Sequence, residues 1–211
     1  MKKKKIALLV LAIIIIIGVI IAICALSGKQ EEKQETRLLA IYNNLIGSQK
    51  YLFTIEQNDQ SKTIMAKNGD KTAIDTYSGN DHSTTIVKDG NTYLILHERE
   101  EYYTYQNNNI EQNILTDGLE ELIDKEYVTG SEKINGKKYS YEEFNESTIF
   151  MISNDIPIDE EGIKTRFYFD KDNNLTYIRT IYDNNSELLK TSLSDNPDDS
   201  IFEIPENYAE N

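Results

Sequence analysis

Residues 49–96 read QKYLFTIEQNDQSKTIMAKNGDKTAIDTYSGNDHSTTIVKDGNTYLIL, and this passage decides the fold. Tyr51, Phe53 and Ile55 alternate with Thr54 and Glu56. A period of two turns one face of a strand to a core and the other outward. Asn68-Gly69 and Asp89-Gly90 then supply the positive-φ positions that tight hairpins need. Further on, Asn135-Gly136 repeats the signal, and Asp172-Asn173-Asn174 and Asp183-Asn184-Asn185 give looser versions. Between these turns the pattern predicts strands over 62–67, 72–77, 83–88, 92–97, 101–105, 126–132, 137–144, 148–153, 164–170, 175–182 and 187–193.

Two segments break the period. Before the first strand, Leu38, Ile41, Tyr42, Leu45 and Ile46 recur at helical intervals until Gly47-Ser48, which predicts one amphipathic helix from Thr36. Within 111–125, Ile114, Leu115, Leu119, Leu122 and Ile123 predict a second helix packed on the sheet. With so few places for a crossover helix, the fold class expected is mainly β (α+β): an antiparallel sheet, strongly curved around its helices. The fourteen tyrosines favour strands and suit a sheet buried on one side.

Ahead of this domain the chemistry changes. Lys2 to Lys5 precede Ile6 to Leu26, a run of 21 residues without a charged side chain. At about 1.5 Å per residue, such a helix covers the roughly 30 Å hydrocarbon core. The lysine flank stays cytoplasmic, so the expectation is a single-pass cell-membrane protein, anchored through residues 6–26, with its domain extracytoplasmic. Three fates are open to the segment: an uncleaved anchor, a lipoprotein signal that leaves Cys24 as a lipid-modified first residue, or a cleaved secretory signal. Lipoprotein processing needs a small residue before the cysteine, and Ile23 is bulky and β-branched. The uncleaved anchor is therefore favoured. Residues 1–28 form the anchor or signal, 29–35 (KQEEKQE) a stalk and 36–211 one domain.

Of the 22 basic side chains five precede residue 30, leaving 17 against all 36 acidic ones, a net of −19 beyond the anchor. That charge repels phosphate backbones and disfavours nucleic acid as a partner. Cys24 is the only cysteine, so the outer domain has no internal disulfide, cysteine-ligated zinc or thiol nucleophile. His82 follows a turn-like Gly79-Asn80-Asp81, and His97 ends a strand beside Glu98 and Glu100. Their separation has no ligand-like spacing, so both are read as solvated surface histidines and no metal is expected. Asp155, Asp159, Glu160 and Glu161 around Pro157, and Asp170 to Asn174, read as turns; the latter lacks the glycine and glutamate of a calcium loop. Glu142 and Glu143 fall on opposite faces of one strand. No Gly-x-Ser-x-Gly elbow, phosphate loop or His-Glu-x-x-His helix is present. A non-enzymatic protein without a cofactor is expected.

The order of elements, with the closing phrase Ile201-Phe202-Glu203-Ile204-Pro205-Glu206-Asn207-Tyr208, resembles the LolA-like superfamily of lipoprotein carriers and lipid-binding cell-envelope lipoproteins. Lys88 to Leu94, Gly130 to Tyr139 and Phe167 to Asp172 resemble its Gram-positive branch in bacteria, and the likeness spans about residues 36–208. It implies a half-open barrel whose concave face, closed by helices, holds a lipid or a lipoprotein acyl chain. By alternation, Phe53, Ile55, Leu94, Leu96, Phe150, Phe167 and Phe169 are the candidate lipid-binding residues. A cavity of several hundred Å3 lined by them would mark a lipid-binding module. A filled core with an exposed apolar patch would mark a protein-interaction or sensor module for a membrane-protein partner. A fixed anchor restricts either to local work.

Overall fold

The structure is a computed structural model and describes residues 36–58, 60–106, 114–145, 162–182 and 185–211. The apolar run 6–26, Cys24, the expected strand 148–153 with Phe150, and the acidic turn around Pro157 lie outside the described residues. Among the described residues, no helix is long and apolar enough to cross a membrane.

Helix α1 (Arg37–Ser48) starts where the sequence signals it, with the Thr36 hydroxyl accepting from the Leu39 backbone N–H. It ends on Gln49, which takes a left-handed conformation and returns its N–H to Leu45. Twelve strands follow in one sheet: β1 (Lys50–Asn58), β2 (Ser61–Asn68), β3 (Lys71–Ser78), β4 (Asp81–Lys88), β5 (Asn91–Leu96), β6 (Glu101–Gln106), β7 (Tyr127–Ile134), β8 (Lys137–Phe144), β9 (Lys164–Phe169), β10 (Leu175–Tyr182), β11 (Asn185–Ser194) and β12 (Ala209–Glu210). Helix α2 (Ile114–Glu120) separates β6 from β7. It is shorter than its hydrophobic pattern, because Leu122, Ile123 and Lys125 bond three residues back and tighten the chain into turns.

The spatial order is β12-β6-β5-β4-β3-β2-β1-β11-β10-β9-β8-β7, and the sheet is not closed. Two local meanders meet where β1 pairs with β11, with Phe53 opposite Leu193 and Ile55 opposite Thr191. All pairs are antiparallel except β12 on β6, where Ala209 lies beside Glu101. The turns are the expected ones: Gly69, Gly90 and Gly136 all sit at positive φ, as do Asp89 and Asn135.

One face of the sheet packs under the helices. Leu38 and Leu45 of α1 and Leu115, Leu119 and Leu122 of the α2 region meet Phe53, Ile55, Phe144, Phe167, Phe169, Ile178 and Leu189. Ile46 departs from the expected stripe: at 44 % exposure it points away from this core. The N-terminus of α1 is tied to β8 by Glu142, whose carboxylate accepts from the Arg37 backbone N–H at 3.0 Å and from Arg37 Nε at 2.9 Å. Only 4 % of that carboxylate side chain is exposed, so the first turn of the helix is its solvent.

The opposite face corrects the expectation of a sheet buried on one side. A strap formed by the 3₁₀ turn Asp199–Phe202 and the residues up to Tyr208 covers Ala66, Ala73, Ile86 and Ile95 with Phe202, Ile201 and Ile204. Lys88 Nζ holds it by donating to the Phe202 carbonyl at 2.7 Å. At the other end of the same face Tyr139, Tyr168, Tyr141 and Tyr177 cluster with Ile134 and Leu188. Arg166 and Arg179 lie over Tyr141 and Tyr168, and both bond the Glu132 carboxylate. Burial pushes the Tyr168 hydroxyl up to about 12, so it remains a donor to Glu132.

Candidate functional site

An open cleft of about 470 Å3 lies between the C-terminal half of α1, the β9–β10 turn and the end of β11. Its apolar side chains are Ile41, Leu45, Leu175 and Leu193; its polar ones include Asn44, Lys50, Asn174, Ser192, Ser194 and Asp195. The apolar residues belong to or pack against the core under the helices, so the cleft is a recess in that core. Its position follows from the local chain. The C-terminal half of α1 turns Ile41 and Leu45 toward the core and leaves Asn44 exposed beside them, and the Asp170 carboxylate shapes the facing turn by accepting the backbone N–H groups of Asp172 and Asn174. Those two hydrogen bonds, Asn174's the stronger influence, hold Asp170 below the usual carboxylate range. As expected, Asp170 to Asn174 is a turn, with Asn173 at φ +62°.

Of the residues proposed by alternation, the six that are described share one face, but they do not line this cleft. Phe53, Ile55, Phe167 and Phe169 are fully buried beneath the helices, packed as core. Leu94 and Leu96 are half-buried on the same face, and neither belongs to that core cluster. The cleft escaped sequence reading because its lining is assembled from α1, the start of β1, the β9–β10 turn and the end of β11, and no period along the chain encodes how these meet.

Both histidines depart from the solvated surface reading. Hairpin β4–β5 pairs Lys88 with Asn91 and Ser83 with Leu96, and the next step of that register sets His82 opposite His97. Their rings stack with centroids 3.6 Å apart at 8°, Tyr77 stacks on the other side of His82 at 3.9 Å, and Tyr208 of the strap meets His97 edge-on at 5.5 Å. Asp75, buried on β3, accepts from His82 Nε2 at 2.7 Å and from the Thr84 hydroxyl at 2.6 Å. Thr84 also lies 2.7 Å from His97 Nε2, and the Tyr208 hydroxyl 3.0 Å from His97 Nδ1. Burial, reinforced by neighbouring His82, holds His97 below the ordinary histidine range. A sequence signal for this cluster existed: a two-residue Asp89-Gly90 turn makes partners of residues equally far on either side of it, and 82 and 97 are such a pair.

No family model matches the sequence, and no curated protein is similar to it. Among solved structures, an uncharacterized conserved protein from Thermus thermophilus resembles the chain with a TM-score of 0.45 and 7 % identity, over 82 % of this chain and 95 % of that one. A likeness at this level carries no argument about function.

Proposed function

We propose that residues 36–211 form a LolA-like binding domain, a half-open barrel held outside the cytoplasmic membrane by the anchor at 6–26, that takes one lipid or lipoprotein acyl chain without catalysing a reaction. The observation that carries this reading is the cleft beside α1: about 470 Å3, within the range of small-molecule sites, with an aliphatic floor continuous with the core. Its polar rim suits an amphipathic molecule, whose chain lies against Ile41, Leu45, Leu175 and Leu193 while its head meets Asn44, Asn174 and Ser192. Helix α1 is pinned by Glu142 at its N-terminal end, and the cleft lies by its other half, so that half is the part able to yield to a chain.

Native mass spectrometry of the full chain, stripped of detergent, tests the proposal. The unmodified protein is expected to retain a lipid that Leu193→Trp, which fills the cleft, loses. Equal retention by both would place the lipid on the anchor and remove the cleft from the reading. The second reading, a filled interaction or sensor module, is favoured by the packing of Phe53, Ile55, Phe167 and Phe169 as core and by Val128, 57 % exposed. A chain that is empty in every preparation would support it.

A further inference from the structure

Asp75, His82 and His97 bring three potential ligand atoms within 4.8 Å of one another, from β3, from β4 and from the turn that follows β5. We propose that they bind a divalent transition-metal ion on the face of the sheet that carries the strap, a site separate from the cleft. Two imidazole nitrogens and one carboxylate oxygen form a donor set that suits zinc, nickel, copper or cobalt and is too poor in oxygen for calcium or magnesium. With bonds of about 2.0–2.2 Å, ligands on one ion stand at most about 4 Å apart, so the existing separation closes with small movements.

The hydrogen bonds around the cluster fit this use. Thr84 has one hydroxyl proton, which it gives to Asp75; the His97 Nε2 beside it is then the donor, and Nδ1 accepts from Tyr208. When His97 binds a metal through Nε2, its proton moves to Nδ1 and Tyr208 becomes the acceptor. A hydroxyl serves either role, so Tyr208 can orient the ligating ring as second-sphere partners of metal-bound histidines do. The carboxylate of Glu98 accepts the backbone N–H of His82 and adds negative charge nearby. The stacked rings must fan apart for their lone pairs to converge on one ion. His82, with a quarter of its side chain exposed, is the ring that moves, and Tyr77 stacked on it, itself 37 % exposed, moves with it. A water completes a four-coordinate sphere.

Calorimetric titration of the full chain in detergent with zinc chloride is expected to saturate at one ion per chain, with no matching signal from magnesium. His82→Ala and Asp75→Asn should abolish saturable binding, and Tyr208→Phe should weaken it about tenfold. Cobalt added to the unmodified chain should give the visible spectrum of a four-coordinate nitrogen and oxygen site, which tests the proposal even where a variant fails to fold. The proposal is overturned by the absence of saturable zinc binding, by zinc binding that His82→Ala leaves unchanged, or by a sulfur-to-cobalt charge-transfer band, which would place the ion on Cys24.

Discussion

Strand β9 shows the contrast between the two faces of the sheet within six residues. Phe167 and Phe169 point to the helices and are completely buried in an apolar core, while Arg166 and Tyr168 point the other way into hydrogen bonds with Glu143 and Glu132. Exposure does not separate them, since Tyr168 is as fully buried as its phenylalanine neighbours. The helix-bearing face carries the larger apolar cluster and is held by area removed from water, whereas the opposite face divides into a smaller apolar cluster under the strap and, at its other end, a polar network around Glu132. Stability therefore concentrates on the first face. The histidines, Arg166, Arg179 and most of the clustered tyrosines lie on the second.

The strongest challenge to this contrast is Phe167→Ala. It should cost about 3–5 kcal/mol in urea unfolding, through lost burial and an unfilled cavity. A loss of similar size from Tyr177→Ala, half-buried on the other face, would erase the distinction. Next comes Glu142→Ala, among the described residues the buried carboxylate on the helix side. Removing it strips the α1 N-terminus of its acceptor and leaves Arg37 with Ser140 and the Phe169 ring but no ion partner, at a cost of about 2–3 kcal/mol by the same measurement. Hydrogen exchange should show the first turn of α1 opening before the rest of the helix.

Smaller effects are expected on the polar face. A Cβ at Gly130 on β7 would collide with the Tyr141 ring, itself under Arg166. Gly130→Ala should therefore cost about 1–2 kcal/mol, less if Tyr141 swings aside. The mildest expected effect is acid sensitivity at Glu132. Burial alone would raise its pKa, but the hydrogen bonds from Arg179 and Tyr168 outweigh it and hold it below its ordinary 4.5. A carboxylate lowered in the folded state contributes stability that is present above that ordinary value and lost as pH falls through the folded one. Glu132→Gln should flatten the decline in unfolding midpoint below about pH 4.5. An unchanged decline would show that the network does not set the acid limit of this face.

Much of this architecture was legible in residue order. The alternation through Tyr51, Phe53 and Ile55 and the turns at Gly69, Gly90 and Gly136 placed most strands, and alternation put Phe53, Ile55, Leu94, Leu96, Phe167 and Phe169 on one face. Whether that face is lined or filled depends on how closely α1 and α2 approach, which no period encodes. The strap was visible only as the phrase Ile201 to Tyr208, because an irregular segment carries no signal of the surface it covers. The histidine pair was missed because spacing was read along the chain, whereas hairpin register acts across it.

The seam between β1 and β11 also has a kinetic meaning. Apart from β8 and β9, which residues 145–163 separate, and β12 on β6, each meander consists of hairpins between sequence neighbours, which close within microseconds. The Glu56–Lys190 ion pair at the seam joins residues 134 apart. Until β11 arrives, β1 is an open edge whose Phe53 and Ile55 are uncovered, the state in which strands recruit the wrong partner. The slow, error-prone step of folding is thus expected at the centre of the finished sheet.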